Sequence, residues 1–474
     1  MSQPDTDKSN IIVVSNRGPA RFTLDRDGQV FSTRAGGGLS SSLADLLETT
    51  PVTWICAPMS RDEYTIAASR ETEISYGSIH VEFIYPDKDR YSQAYNSFSN
   101  STLWFLYHSM FDRPMRPSFT PSLYQSWESY KYLNQIFADK IVSQANPESV
   151  ILVQDYHLHL VARYVKEVRP DLRMVHFIHT PMCSPEELEV LPKPIAQELM
   201  GSITRFDAVG LHSRRWQDNL LACCKSLDLE PPNTFFVPLG IDPGHLHKTA
   251  NSPGCQKELR DLSQLTHGRK MILRVDRIDL SKNILRGFEA FDLALERCPE
   301  MVNKVTFIAL LNPSRQEIPQ YIDYRDKIEC LVDKINTKWT KVSSSRMDSS
   351  LPPWEPVHLE IADNYARSVA ALQLYDVLVV NPIKDGLNLV AKEGPCVNNN
   401  NGILILSQQA GVYDELGRVA LTINPFDVSQ CADQLVRAVT MSIHDRCIQS
   451  SSLKELSTIS TPATWLETQL RALV

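Results

Sequence analysis

Short apolar runs punctuate the chain, and the segments between them are long enough to hold a helix. A first set comprises IIVVS (11–15), VTWIC (52–56), VILVQ (150–154), MVHFIH (174–179) and FDAVGLH (206–212). A second set comprises KMILRV (270–275), VTFIALL (305–311), DVLVVN (376–381), GILILS (402–407) and ALTINP (420–425). Each run reads as a buried strand. Between them the period changes: Ile284, Phe288, Phe291 and Leu295 fall on one face of a helix. Strands alternating with helices predict an α/β protein with parallel sheets covered on both faces. The polar stretch 242–268, which holds Pro and Gly, reads as a break between two doubly wound Rossmann-like domains, 1–245 and 246–474. RFTLDRDGQVFS alternates around Asp-Gly and reads as a hairpin, and the serine-rich segment 341–353 reads as a surface loop.

Composition narrows the class. A chain of 474 residues exceeds what one hydrophobic core organises and suits two domains. The net charge of −8 argues against nucleic acid or an anionic membrane as partner, since both need a basic face. Ten cysteines without a CxxC spacing read as reduced thiols. The polar opening MSQPDTDKSN and the absence of any run of 18 apolar residues point to a cytoplasmic protein with no membrane span.

In open α/β sheets ligands sit at the carboxyl ends of strands, so the residues just past each run carry the candidate chemistry. Arg17 follows the first run, and can grip a phosphate or be a solvated loop cation. AGGGLSSSL places three glycines before a helix, whose amides can face a ligand or only serve the turn. Asp155 and His179 follow the third and fourth runs and can meet over one crevice; each has a structural alternative. Arg277 and Lys282 can bring two charges to a diphosphate or pair with the flanking aspartates, and Arg315 is a further strand-end cation. NPIKDGLNLVAKEG reads as a strand-to-helix corner with the helix opening at Asp385-Gly386. That would aim free N–H groups and the dipole at a phosphate. On such a helix Asp385 and Glu393 lie about 80° apart; the plainer alternative makes Asp385 an N-cap.

Ten blocks in one order carry a more specific signal. They are VVSNRGP, AGGGL, YNSFSNSTLW, QDYHL, FIHTP, PLGID, RVDRIDLSKN, DGLNLVAKE, ILSQQAG and NPFD, from about residue 10 to the end of the chain. Together they resemble the trehalose-6-phosphate synthases, retaining glycosyltransferases of family 20. The resemblance implies a GT-B fold: two Rossmann-like domains facing a central cleft, the last helix packing back on the N-terminal one. It implies transfer of glucose from UDP- or GDP-glucose to glucose 6-phosphate, without a metal or other cofactor, and a possible homo-oligomer.

It further implies that Arg17, Tyr95, Asp155 and Arg315 surround the acceptor, and that Trp104 and His179 select the α-anomers. Gly37 and Gly38 would cover the donor, and Arg277 and Lys282 would neutralise the leaving diphosphate. Asp385 would hold the glucose, the backbone at Asn388, Leu389 and Val390 the phosphates, and Glu393 the ribose. Asp155, His179, Arg277 and Lys282 are the implied catalytic set. Two departures bear on substrate: the stretch Ala57 to Met59 lacks a tryptophan common in the family, and LNPSR and LSKN lean toward relatives that include GDP-sugar users. Other acceptors, such as glycerol or cyclitol phosphates, and a silent sugar-phosphate sensor are the competing readings. No phosphatase-like segment follows the second set of runs, so dephosphorylation is expected of another protein.

Overall fold

Valine, isoleucine and leucine dominate the centres of two sheets. The computed structural model describes residues 10–34, 43, 47, 51–69, 73–344 and 352–473. The first sheet uses β1 (Ile11–Val14), β4 (Val52–Cys56), β5 (Ile74–Tyr76), β6 (Ile79–Phe83), β7 (Val150–Gln154), β8 (Arg173–Ile178), β9 (Ala208–Leu211) and β10 (Asn233–Phe236). Its order is β10-β9-β8-β7-β1-β4-β6-β5, parallel except for the β5–β6 edge. The hairpin of β2 (Ala20–Leu24) and β3 (Val30–Arg34) pairs antiparallel around the Asp-Gly turn. The second sheet is wholly parallel, in the order β13-β12-β11-β14-β15-β16. Its strands are β11 (Lys270–Arg277), β12 (Val305–Asn312), β13 (Val357–Ile361), β14 (Val377–Val380), β15 (Ile403–Ser407) and β16 (Leu421–Ile423).

The chain divides into two compact units. One comprises residues 1–238 with 462–474, the other 239–461. Each sheet reverses its winding once, between β1 and β7 in the first unit and between β11 and β14 in the second. Such switch points open a crevice at the carboxyl ends of the flanking strands.

In the second unit the helical stripe read from the sequence is the core face. Ile284, Phe288, Phe291 and Leu295 are fully buried and pack with Phe307, Val377 and Ile405. Each such side chain contributes roughly 1.5–3 kcal/mol of burial. The polar stretch 242–268, which begins just past the division at 238/239, forms helices Pro243–Ala250 and Pro253–Thr266, capped by Asp242 and Ser252 with proline in the first turn. Strands β5, β6, β10 and β13 carried too little apolar continuity to be read in advance. The loop reading of 341–353 meets the end of helix Pro319–Ser344, and its centre lies outside the described residues.

Candidate active site

In the first unit, four adjacent parallel strands end at one edge in the order β9-β8-β7-β1. His212, His179, Asp155 and, three residues past its strand, Arg17 follow them. Asp155 carries φ 71° and ψ 168°, a region nearly restricted to glycine that costs on the order of 1–3 kcal/mol. The strain is held from both sides. Its N–H donates to the Phe177 carbonyl at 2.8 Å, and its Oδ1 accepts the His179 N–H at 3.3 Å. Arg17 is exposed beside Asn16, which is buried and bonded to the Tyr91 hydroxyl at 3.1 Å.

Tyr95 lies on a π-helical run, Gln93–Leu103, a widened turn common near functional sites. Its ring stacks between Tyr91 at 5.6 Å and His157 at 5.5 Å. Trp104, directly after that run, stacks on His108 at 3.9 Å and meets Tyr156 at 5.6 Å. Tyr156 in turn bonds Asn100 of the π-helical run at 2.6 Å. Tyr95, Trp104 and the Asp155 loop are thus one aromatic block.

His179 is held at both ring nitrogens. Nε2 lies 3.0 Å from Gln154 Oε1, and Nδ1 lies 3.0 Å from His212 Nε2. Burial, then His212 and His176, push its pKa well below the usual imidazole range. His212 was not singled out by sequence, although it stands directly after a strand run. Below this edge a second pair, His159 and His176, is bonded at 2.8 Å and fully buried.

In the second unit the switch point is occupied by charge. Lys282 Nζ sits 2.5 Å from Asp385 Oδ2 and 3.9 Å from Asp276 Oδ1. Burial opposes the charge on Lys282, but Asp385 and Asp276 outweigh it and hold its pKa above the ordinary lysine value. Burial pushes the Asp276 carboxyl up to about 6, against the pull of Arg274 and Lys282. Asn388 Nδ2 donates to Asp385 Oδ2 at 3.1 Å. Arg277, the last residue of β11, is exposed at this edge. Arg315 follows β12 and donates to Asp279 Oδ2 at 2.6 Å and to the Tyr321 hydroxyl at 2.7 Å. Arg315 therefore belongs to the second unit, whereas Arg17, Tyr95, Trp104 and Asp155 belong to the first.

The corner that prompted the phosphate reading is built differently. The helix is Val390–Val397, with Leu389 at its cap. Asp385 and Gly386 precede it by a loop, where the Asp385 backbone pairs with Ala410. Asp385 is neither N-cap nor on the helix, so the 80° relation to Glu393 falls away. Asn388, with φ 85°, turns the loop, and its Oδ1 accepts the Ala391 N–H at 3.3 Å. The first-turn amides open at Leu389 and Val390, with Glu393 in that first turn. Gly37 and Gly38 lie outside the described residues.

The model of glycosyltransferase family 20 matches residues 9–474. The chain belongs to glycosyltransferase family 20. Among its family 20 relatives, an α,α-trehalose-phosphate synthase (UDP-forming) of Emericella nidulans is 30% identical, over 97% of this chain and 90% of its own length. One from Schizosaccharomyces pombe is 30% identical over 91% of this chain and 84% of its own length. The trehalose-6-phosphate synthase OtsA superposes with a TM-score of 0.84 at 25% identity, covering 98% of this chain and 99% of that one. The synthase of Burkholderia xenovorans in complex with glucose-6-phosphate gives 0.82 at 26% identity, covering 98% and 100%. These family 20 structures share the two-sheet α/β GT-B architecture described above.

Proposed function

We propose that the protein is a retaining glucosyltransferase that moves glucose from UDP- or GDP-glucose to glucose 6-phosphate, forming α,α-trehalose 6-phosphate. The observation that carries this reading is the Lys282–Asp385 pair at the switch point of the second sheet, 2.5 Å apart. A cation and a hydroxyl-accepting carboxylate held together suit the junction between a diphosphate and the sugar it carries. Similarity to synthases named UDP-forming, and to an Escherichia coli structure bound with UDP-2-fluoro glucose (TM-score 0.82), supports the donor class. Similarity to the Burkholderia complex supports the acceptor.

In this reading the bond from glucose C1 to the diphosphate oxygen breaks as the acceptor hydroxyl bonds C1 on the same face. The acceptor proton passes to the leaving phosphate oxygen. Arg277 and Lys282 meet the charge that builds on the diphosphate, and Asp385 takes the sugar hydroxyls. The backbone at Asn388, Leu389 and Val390 takes phosphate oxygens, Glu393 the ribose, and Gly37 and Gly38 the donor's other side. Arg17, Tyr95 and Arg315 take the acceptor phosphate, and Asp155 its sugar. Trp104 and a neutral His179 shape the pocket for the α-anomers. Asp385 is a poor nucleophile here, since one of its oxygens already accepts from both Lys282 and Asn388.

A different acceptor is the second reading, favoured by one feature. The Met59 sulfur, 3.0 Å from the Tyr91 hydroxyl and 3.4 Å from Asn16, puts a thioether beside Arg17's loop. Incubation of UDP-glucose or GDP-glucose with glucose 6-phosphate, with the product identified by NMR, tests both. A 1,1-linked α,α-disaccharide phosphate is expected. Consumption of donor only with another phosphorylated acceptor would favour the second reading, and no consumption at all would make the protein a sugar-phosphate binder.

A further inference from the structure

Arg274 lies inside β11, within the apolar run KMILRV, and its side chain is wholly buried. Two of its nitrogens, Nε and Nη2, have no hydrogen-bond partner among the described residues. An unsatisfied guanidinium in a core is expensive, and a well-packed apolar side chain would be as stable or more so. The surroundings make room for it all the same. A Cβ on Gly287 would stand 3.1 Å from Nη2, so the helix over β11 leaves the space the guanidinium fills. Residues that break a local rule in this way cluster where function needs them.

What Arg274 touches indicates the need. Nη1 donates to the carbonyl of Lys282 at 3.3 Å. Nε lies 3.8 Å from Asp276 Oδ2, and Asp276 Oδ1 lies 3.9 Å from Lys282 Nζ, which is 2.5 Å from Asp385. Four charges of alternating sign therefore run from the core to the edge: Arg274, Asp276, Lys282, Asp385. Two carboxylates compete for the one ammonium, and the buried guanidinium stands behind the inner one. We propose that Arg274 is a positioning residue for the donor chemistry: by offsetting Asp276 and holding the Lys282 carbonyl, it keeps the Lys282 ammonium forward at Asp385, where a nucleoside diphosphate meets it. The proposal rests on the glucosyltransferase reading and adds a residue that acts only through Lys282. The turn is also fixed independently of Arg274. Asn283 Nδ2 donates to the carbonyls of Asn381 and Pro425, and Ile383 N–H donates to that of Ser281. Loss of Arg274 should thus move the ammonium and leave the turn folded.

The test is Arg274→Met, alone and combined with Asp276→Asn. With Arg274 gone, Asp276 draws Lys282 inward; with both gone, nothing does. Arg274→Met should fold with an unchanged circular dichroism spectrum and lose at least tenfold in kcat, while KM for glucose 6-phosphate stays within twofold. The double variant should recover most of that loss, which a merely structural role would not produce. Unchanged kcat in Arg274→Met, or an equally low kcat in the double variant, would overturn the proposal. If Arg274→Met does not fold, Arg274→Gln, which keeps a donor for the carbonyl and drops the charge, is measured in its place against the same two outcomes. UDP and GDP binding by calorimetry runs in parallel, so that a failure of the functional reading stays distinguishable. If the wild type transfers no glucose, several-fold weaker diphosphate binding in Arg274→Met, restored by Asp276→Asn, sustains the proposal, and equal affinities refute it.

Discussion

His212 Nε2 lies 3.0 Å from His179 Nδ1, and Gln154 decides which of them donates. The Gln154 Oε1 can only accept, so His179 Nε2 carries the proton toward it. A neutral His179 then has a bare Nδ1, and His212 must donate to it. The ring is thus committed at both nitrogens and neutral, which suits a pocket wall and not a proton carrier. Replacing His212 with Leu should free His179 and lower kcat by about tenfold, with a rise in water-dependent donor hydrolysis. His212→Gln, which keeps an N–H, should restore most of the rate. Nitrogen NMR of His179 should report the Nε2–H form in the wild type and in His212→Leu alike, since Gln154 fixes it in both; an Nδ1–H form in the wild type would refute the assignment.

Removing the charge nearest the leaving group should cost the most. Lys282→Ala and Arg277→Ala are each expected to lower kcat on the order of 10²-fold, the scale of one lost charge contact in a transition state. Steady-state kinetics with saturating donor checks this, and an unchanged kcat in either variant removes that residue from the mechanism.

Arg315 calls for a different design. Its partner Asp279 is wholly buried, so Arg315→Ala takes the counter-charge from a carboxylate that keeps its bonds from Ser281 and the Tyr321 hydroxyl, and should destabilise the second unit by about 3 kcal/mol. Arg315→Ala combined with Asp279→Asn should recover stability, and then raise KM for glucose 6-phosphate well above any change for the nucleotide sugar. Equal changes in both KM values would mean the loop acts through folding.

The two units should respond to acid in opposite directions. In the first, burial holds His176 at about 4, below its unfolded value. The unfolded chain then binds more protons between those values, so stability is present above pH 6.5 and lost as pH falls toward 4. In the second, Asp276 is raised to about 6 from an unfolded value near 4. There the native state binds more protons, so acidification through the same window relieves a cost. Each effect is on the order of 1–3 kcal/mol. Limited proteolysis at pH 5 should cut within 10–238 before 239–461, and His176→Phe should narrow the difference, with the buried His159 and His179 supplying the rest; simultaneous cleavage in the unsubstituted protein would contradict the linkage.

Activity is expected to survive excess EDTA after metal stripping. Asp25-Arg26-Asp27 and Asp87-Lys88-Asp89 match the DxD pattern that holds a cation in many glycosyltransferases. Here Asp25 Oδ1 accepts the N–H groups of Asp27 and Gln29 in the hairpin turn, and Asp87 caps helix Lys88–Ser92. Inhibition by EDTA with rescue by Mg²⁺ or Mn²⁺ would overturn this.

The sheets were legible because strands buried on both faces need near-continuous apolar runs, and β11, β12, β14 and β15 supply them. The helix start at 385 was misread because its cause is remote in sequence: the Gln409 carbonyl and the Gly411 N–H capture the Asp385 backbone and delay the helix to Val390. The helices within 242–268 went unread because polarity alone was weighed there, although Asp-Pro and Ser-Pro at 242 and 252 are helix-opening pairs. Arg274 left a signal too, a charge inside an apolar run. The stacking of Tyr95 between Tyr91 and His157 left none, since a π-helical turn has no period that sequence displays.

Residues 462–474 rejoin the first unit, where Trp465 packs on Phe177 and His179, and Gln469 bonds Gln154. The first unit is therefore interrupted by the second, and its closing helix is made after the whole of the second. Every residue of 239–461 is synthesised before the support behind His179 exists. A released chain truncated after residue 461 should hold a native second unit and an unfinished first one. Loss of the last turns should accordingly be felt at the His179–Gln154 pair, far back along the chain from the point of truncation.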